Sequence, residues 1–187
     1  MTTKVAVIVG SLRKESVNRQ FAQALAKLAR PKLDLRIVEI GDLPLYDQDL
    51  ETELPAAVVR FKQQIASADA VLFVTPEFNR SFSAALKNAI EWGSRPWGRT
   101  SWAGKPAAVV GATLGTVGTA AAQSQLRSVV SAVGMALTAQ PEIYLNFREG
   151  LIVDGEITDE SLIAVLQDWS AKFADWISRL RTPALSL

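Results

Sequence analysis

Three unbroken apolar runs constrain the fold of this chain more than any other feature of its sequence. They cover residues 5–9, 71–75 and 107–113. A strand with water on one face alternates apolar and polar residues, whereas a continuous apolar strand is buried on both faces. The three runs therefore predict a parallel β-sheet that helices cover on both sides.

Helical spacing of apolar residues fills the intervals between these strands. The predicted helices occupy residues 18–29, 83–92, 118–133 and 160–180, and another begins at Pro55. Gly93 is placed to cap the C-terminus of the third helix. The last helix carries one long apolar stripe, which predicts packing against the sheet rather than a membrane-surface role.

Two less regular segments complete the predicted sheet. Residues 35–40 carry charges at Arg36 and Glu39, a pattern that suits an edge strand, and residues 135–145 form an apolar segment broken at Pro141. Strands and helices thus alternate along the chain, which is typical of a doubly wound α/β sheet. The sequence predicts one flavodoxin-like domain over residues 1–187, with five parallel strands in the order 2-1-3-4-5.

Composition excludes several classes of function. The net charge of +1 provides no basic surface for nucleic acid or an anionic membrane, so small molecules and copies of the chain itself are the expected partners. Cysteine and histidine are both absent, which removes disulfides, thiol nucleophiles and imidazole or thiolate metal sites. We expect no bound metal. No stretch reads as a signal peptide or a membrane span, so a soluble cytoplasmic protein is expected.

The loop after the first strand, GSLRKESVN at residues 10–18, combines a cation with short hydrogen-bond donors. A helix begins at its end, and the first N–H groups of a helix bind anions well. The groups on offer come from Ser11, Arg13, Ser16, Val17 and Asn18. Together they predict a phosphate site. Alternatively, Ser16 only caps the helix and the rest is a polar loop. Two other kinds of phosphate site are excluded, because the sequence has neither a dinucleotide-binding fingerprint nor a P-loop.

Loops that follow the third and fourth strands reach the same edge of the sheet. Pro76 ends the third strand, and the backbone of Glu77, Phe78 and Asn79 could read the edge of a flat heterocycle. A Gly- and Thr-rich loop at residues 111–119 is thin enough for a planar ring to approach. Its glycines, Gly115 and Gly118, serve turns and helix entry more often than ligands.

Four blocks of the sequence resemble, in content and order, those of the NADPH-dependent FMN reductase family, in the branch of the soluble quinone and chromate reductases. The blocks are residues 10–22, 43–51, 76–92 and 103–127. The resemblance implies contacts to the FMN phosphate from Ser11, Arg13, Ser16, Val17 and Asn18. It implies contacts to the isoalloxazine ring from Pro76, Glu77, Phe78, Asn79, Thr113, Gly115 and Gly118. Many relatives carry Tyr in place of Phe78 and Ser in place of Thr113.

The same resemblance implies an FMN-dependent oxidoreductase in which the cofactor carries the chemistry and no side chain is catalytic. NADPH or NADH would donate hydride, and quinones, chromate, ferric chelates, azo compounds or free flavins would accept electrons in ping-pong order. One alternative is a flavodoxin-type electron carrier without substrate turnover. Another is a module that binds a phosphate ligand and never holds flavin.

The sequence also suggests roles for residues beyond those already assigned to FMN. Arg80 and Arg95 are placed either to bind the nucleotide or an anionic acceptor or to be solvated surface charges. Trp97 and Trp102 are interpreted as core or interface residues. Family resemblance implies a homodimer, from which tetramers can be built, whose second subunit borders the flavin site through Tyr46, Asp47 and Gln48. An ordinary loop that covers its own core would also explain that segment.

Overall fold

The computed structural model describes residues 2–181, so the first residue and the last six of the predicted domain lie outside the described residues. Strands and helices alternate as the sequence predicts. In chain order they are β1 (Thr3–Val9), α1 (Val17–Leu28), β2 (Leu33–Val38), α2 (Ala56–Ala66), β3 (Ala70–Thr75), α3 (Ala84–Ser94), β4 (Pro106–Thr113), α4 (Ala120–Ala132), β5 (Ala136–Leu137), β6 (Ile143–Asn146), β7 (Ile152–Val153), β8 (Glu156–Ile157) and α5 (Glu160–Arg181). A short 3₁₀ helix, Gln48–Glu51, precedes α2.

All strands of the main sheet are parallel, in the order β2-β1-β3-β4, with β5 and β6 both beside β4. The predicted order 2-1-3-4-5 is confirmed, and β2 lies at the edge. The fifth strand is divided because β5 pairs with the start of β4 and β6 pairs with its end. The break contains Pro141, which lacks the N–H that a continuous ladder would need.

Side chains of β1 divide the core between two layers of helices. Val5, Val7 and Val9 pack in the cluster that includes α1 and α5, whereas Ala6 and Ile8 pack in the cluster that includes α2, α3 and α4. These β1 residues are all buried, as the continuous apolar run predicts. None of the helices within residues 2–181 has the length and apolar character needed to cross a bilayer.

Gly93 does not cap α3, and this part of the sequence prediction is wrong. The helix continues to Ser94, and Gly93 lies inside it against the ring of Trp102. A Cβ at Gly93 would lie 2.1 Å from that ring, so the missing side chain serves close packing. Trp102 is fully buried and belongs to the core, as one of its two interpretations proposed.

Other boundaries differ from the predicted ones by a few residues. The second strand begins at Leu33 rather than residue 35, and α4 begins at Ala120 rather than residue 118. Gly118 and Thr119 have φ of 62° and 71°, which is left-handed and incompatible with a helix start before them. The antiparallel pair β7–β8 was not predicted, although its Asp154–Gly155 turn is a recognised hairpin signal.

Candidate cofactor site

Three loops meet at the carboxyl edge of the sheet, where strand order reverses between β1 and β3. They follow β1, β3 and β4 and cover residues 10–16, 76–83 and 114–119. The first loop is joined to β3 because the Gly10 N–H donates to the Val74 carbonyl over 2.9 Å. Ligands of open α/β sheets bind in the crevice at this edge. The structure therefore brings together the three segments that the sequence proposed as a site.

The first loop leaves hydrogen-bond donors unused at the start of α1. Ser16 is buried, and its hydroxyl oxygen accepts from the Arg19 N–H over 3.1 Å, so it does cap the helix. The N–H groups of Val17 and Asn18 lie in the first turn of α1 and have no intrahelical acceptor. The Arg13 guanidinium is 70% exposed, with the Glu15 carboxylate no closer than 3.9 Å.

Asn18 also has a structural partner that the sequence did not reveal. Its side-chain amide donates to the Ala112 carbonyl over 2.8 Å and accepts from the Ala112 N–H over 2.9 Å. Because the β3–β4 pairing ends at Thr75 and Gly111, Ala112 has no strand partner on that side. The buried Asn18 side chain takes the place of that partner and fixes α1 to β4.

The second loop forms a tight hairpin, residues 78–81. Phe78 and Ser81 exchange two backbone hydrogen bonds of 2.9 Å, and Asn79 and Arg80 between them have φ of 49° and 64°. Two positive φ angles at the centre of a two-residue turn are typical of type I′. The ring of Phe78 is 58% exposed, so it forms part of the rim of the crevice and not of the core.

Side chains from two elements fix this hairpin to α4. The Glu77 carboxylate accepts from the Ala122 N–H over 3.1 Å, while Gln125 accepts from the Ser81 hydroxyl and donates to the Arg80 carbonyl, both over 2.7 Å. Thr119, the N-cap residue of α4, makes no side-chain capping bond, so Glu77 satisfies part of the helix start. Sequence reasoning did not identify Gln125.

Gly118 and Gly115 have different roles in the third loop. Gly118 has a left-handed φ, and a Cβ there would lie 2.6 Å from the Tyr144 carbonyl, so the fold itself requires glycine. At Gly115 a Cβ would meet nothing closer than 3.8 Å, and its φ lies outside the left-handed region. Neither conformation nor space thus requires glycine at position 115, and the approach of a planar ring stays a prediction.

Asn146, which sequence reasoning missed, holds the third loop in place. Its side-chain amide donates to the carbonyls of Leu114 and Gly115 over 3.2 and 2.8 Å. Within the loop, the Gly115 N–H donates to the hydroxyl oxygen of Thr113 over 3.3 Å. The backbone of this loop is therefore fixed, while the side chain of Leu114 is 70% exposed.

Arg80 lies in the hairpin of the second loop, but Arg95 lies far from it. Arg80 is exposed, and its guanidinium is 3.6 Å from the Glu77 carboxylate. Arg95 follows α3, and the eleven residues of that helix span about 16 Å. The Arg95 guanidinium instead lies 5.9 Å from the ring centroids of Tyr46 and Trp97.

The segment that contains Tyr46, Asp47 and Gln48 runs along α3. The Asn88 side chain accepts from the Tyr46 N–H over 2.8 Å, and the side chains of Asn88 and Trp92 donate to the carbonyl of Pro44, the residue before Leu45. Asp47 caps the 3₁₀ helix, and both Asp47 and Gln48 are exposed.

Trp97 is 87% exposed, which excludes a core role for it and leaves its interface interpretation open. An open groove of about 530 Å³ lies beside it and is also lined by residues 132–134 at the C-terminal end of α4. This groove is at the opposite end of α3 and α4 from the three loops. Over residues 2–181 no cluster of carboxylates is arranged to hold a metal ion.

Comparison with known proteins identifies the family. The family model described as NADPH-dependent FMN reductase matches residues 3–150, most of the chain. The chain belongs to the NADPH-dependent FMN reductase family. A 2-hydroxy-1,4-benzoquinone reductase from Burkholderia sp. is 48% identical over 178 residues, which cover 95% of this chain and 97% of that protein. A quinone reductase from Pseudomonas putida is 47% identical over 174 residues, covering 92% and 94%.

One solved structure of this kind is similar in both sequence and fold. FerB, a flavoenzyme NAD(P)H:(acceptor) oxidoreductase from Paracoccus denitrificans, is 43% identical and matches with a TM-score of 0.92, covering 95% of this chain and 98% of its own. Membership of the NADPH-dependent FMN reductase family confirms the predicted cofactor, FMN, and the predicted class, an NAD(P)H-dependent oxidoreductase.

The hydrogen-bond donors of the three loops suit FMN, the cofactor of the NADPH-dependent FMN reductase family. Cationic and N–H donors at Arg13, Val17 and Asn18 suit a phosphate dianion. Exposed backbone of the hairpin at residues 78–81 can face one side of a flavin ring, and Gly115 leaves space on the other loop. Each of these groups lies at the same edge of the sheet.

Proposed function

We propose that this protein is a homodimeric cytoplasmic NAD(P)H:quinone oxidoreductase whose FMN lies across the three loops at the carboxyl edge of the sheet. The observation that carries the proposal is a contrast within those loops. Hydrogen bonds through Gly10, Glu77, Gln125 and Asn146 attach the loops to the sheet and to α4. In contrast, the Arg13 side chain is 70% exposed, with Glu15 no closer than 3.9 Å, and the first N–H groups of α1 have no intrahelical acceptor. Fixed donors without protein partners are what a tightly held cofactor needs.

The phosphate end of the cofactor is assigned to the first loop. Arg13 is the cation best placed to pair with it, and the hydroxyl of Ser11 and the N–H groups of Val17 and Asn18 add neutral donors. Arg19 is excluded from this role because its guanidinium is paired with the Glu39 carboxylate. A forked guanidinium with helix N–H groups forms charge-assisted hydrogen bonds to a dianion.

The ring end of the cofactor is assigned to the hairpin and to the third loop. When bound, FMN supplies the redox chemistry between the nicotinamide nucleotide and the acceptor. The chain contributes orientation and fixed dipoles from its backbone N–H groups. The Glu77 carboxylate is engaged with Ala122 and Arg80, so we assign it no proton transfer.

Exposed apolar side chains around the crevice favour planar, apolar acceptors. Leu12, Phe78 and Leu114, one from each loop, are 57%, 58% and 70% exposed. Quinones have the flat apolar surface that such residues contact well, and two relatives are named for quinone reduction. Arg80 beside the hairpin is proposed to attract the phosphates of the nucleotide or an anionic acceptor. Chromate, ferric chelates, azo compounds and free flavins are further proposed acceptors of this open site.

A second copy of the chain is proposed to pack on the surface formed by Leu45, Tyr46, Arg95 and Trp97, called here the Trp97 patch. Leu45 and Trp97 are 81% and 87% exposed, and the Arg95 guanidinium lies 5.9 Å from the ring centroids of both Tyr46 and Trp97. Aromatic and arginine side chains are enriched at the centre of protein interfaces. Tyr46, Asp47 and Gln48 would then border the flavin site of the partner.

The purified protein tests the proposal directly. We expect the absorption bands of oxidised flavin, and we expect oxidation of NADPH or NADH when a benzoquinone is added. An electron carrier would hold flavin but leave nucleotide absorbance unchanged, and a phosphate-binding module would be colourless after reconstitution with FMN. Either result would contradict the proposal. Stopped-flow reduction by each nucleotide, followed by oxidation with a panel of acceptors, ranks donors and acceptors.

A further inference from the structure

We propose that Gln125 and Glu77 are positioning residues that hold the hairpin of residues 78–81 in the conformation in which it faces the flavin ring. The inference rests on the proposed assignment of this hairpin to the ring. Neither side chain is assigned a contact with the cofactor. Both act through the backbone that they hold.

The hairpin is strained and short, so it needs support from outside itself. Asn79 tolerates a left-handed φ, but the φ of 64° at Arg80 is uncommon for a residue with a long side chain. A non-glycine residue in this region costs about 1–3 kcal/mol and persists where its surroundings fix it. Only two hydrogen bonds, between Phe78 and Ser81, close the turn from within.

Gln125 supports the strained residue, Arg80, and the residue that follows it. Its amide nitrogen donates to the carbonyl of Arg80, and its amide oxygen accepts from the hydroxyl of Ser81, each over 2.7 Å. Both ends of one planar amide are therefore used on consecutive residues of the turn. Because Gln125 lies on α4, which packs on the sheet, the turn takes its position from a rigid element.

Glu77 supplies the second attachment at the base of the hairpin. Its side chain is only 12% exposed, and its carboxylate accepts from the Ala122 N–H in the first turn of α4. Negative charge is stabilised at a helix N-terminus, and Thr119 leaves that end without a side-chain cap. The Arg80 guanidinium, 3.6 Å away, joins the turn to the same carboxylate.

The proposal separates two contributions that can be measured independently. Gln125→Ala removes both hydrogen bonds to the turn without a change of charge. Glu77→Gln keeps an oxygen that can accept from Ala122 but removes the negative charge near the helix start. The matched control is Gln167→Ala, which removes an exposed glutamine from the surface of α5.

Each variant is compared with the wild-type protein by three measurements on the full-length chain. They are the FMN dissociation constant from flavin fluorescence, the midpoint potential of bound FMN, and amide hydrogen exchange of residues 77–82 under saturating FMN. For Gln125→Ala we expect faster exchange of the hairpin and about tenfold weaker FMN binding, because a loosened turn must be ordered when the ring binds. For Glu77→Gln we expect a more positive potential, and for Gln167→Ala no change.

A fourth variant, Asn79→Val, separates this inference from the assignment of the hairpin. A left-handed φ is strongly disfavoured for a β-branched residue, so this change should disrupt the turn itself. If Asn79→Val weakens FMN binding but Gln125→Ala does not, the positioning role is wrong and the assignment stands. If neither variant alters FMN affinity or potential, the hairpin does not face the ring, and both the positioning role and the assignment of the hairpin are wrong. Unchanged hydrogen exchange in Gln125→Ala would also overturn the positioning role.

Discussion

Asn18 and Ala112 exchange two hydrogen bonds across the point where the sheet reverses its strand order, through a side chain that is 2% exposed. The amide of Asn18 imitates the backbone of a neighbouring strand at the position where β3 has ended. This contact sets the distance between the start of α1 and the third loop. The two ends of the proposed FMN site are therefore coupled through one buried amide.

Replacing Asn18 by Ala should destabilise the protein and loosen the cofactor together. The change leaves the N–H and the carbonyl of Ala112 buried without partners, at a cost of about 2–3 kcal/mol in the free energy of unfolding. Urea unfolding followed by circular dichroism measures the loss. Gln23→Ala, an exposed change on α1, should behave as wild type. Wild-type stability of Asn18→Ala would refute the assigned contact.

Arg13→Ala should release much of the flavin because it removes the forked cation from the phosphate dianion. Charge-assisted hydrogen bonds contribute about 1.5–3 kcal/mol, so the FMN dissociation constant should rise roughly 10- to 100-fold. Lys14→Ala removes a neighbouring exposed cation and should leave the constant within about threefold of wild type. Undiminished FMN retention in Arg13→Ala would place the anion elsewhere.

Alanine at Gly111 should reduce the stability of the fold, whereas alanine at Gly115 should reduce the affinity for FMN. A Cβ at Gly111 would lie 2.3 Å from the Thr119 hydroxyl and 2.4 Å from the Thr75 carbonyl, so we expect a loss of about 3 kcal/mol in unfolding free energy. Gly115→Ala meets open space and should fold normally, but it should bind FMN more weakly. Denaturation and flavin titration of both variants check this, and equal stabilities would contradict it.

The ion pair between Arg19 and Glu39 should make the free energy of unfolding depend on pH. The hydrogen bond from Arg19 lowers the pKa of the Glu39 carboxyl below its usual 4.5. Its stabilisation is therefore complete above the unfolded pKa and is lost as pH falls through the lower folded value. Because both side chains are over a third exposed, the pair contributes only about 0.5 kcal/mol at neutral pH.

Unfolding of the wild type and of Glu39→Gln, measured from pH 7 down to pH 3, tests this sign. The difference between the two proteins should shrink as the solution becomes more acidic. A difference that grows toward low pH would show that the carboxylate is destabilising in the folded state. The matched exposed change Glu53→Gln should give a smaller difference at neutral pH.

Trp97→Ser should convert dimers to monomers if the Trp97 patch is the proposed subunit contact. A central exposed tryptophan is the kind of side chain that dominates binding energy, at about 2 kcal/mol or more. Sedimentation equilibrium measures the association constant, for which we expect a loss of roughly 30-fold or more. Val165→Ser, on the half-exposed surface of α5, is the control. Unaltered association of Trp97→Ser would exclude this surface.

Much of the fold could be predicted because its signals are local. Residues 5–9 and 71–75 show burial on both faces in their composition alone, and the alternation of strands and helices limits the topologies that remain. The convergence of the three loops also follows from topology, since they all leave the same edge of one parallel sheet. Family resemblance then supplied the identity of the cofactor.

The remainder depends on contacts between residues that are distant in sequence. Glu77 caps a helix 45 residues further along the chain, and Asn18 pairs with a residue 94 positions away. No spacing rule reveals such partners. We predicted Gly93 at a helix end because the adjacent sequence does not show that the ring of Trp102 packs against it. For Arg95 the sequence left open ligand binding or a solvated surface charge, because it does not show how far α3 separates this residue from the three loops.

The exposed side chains of Phe78 and Leu114 stand on backbones that Gln125 and Asn146 fix, and Leu12 lies two residues after Gly10, which is bonded to β3. Substitutions at these three sites would therefore alter the rim while the scaffold beneath keeps its shape. Under the proposed FMN assignment, single changes here would alter which oxidants this protein accepts without weakening its hold on the coenzyme. A library restricted to these codons would be a compact starting point for directed evolution of new acceptor ranges.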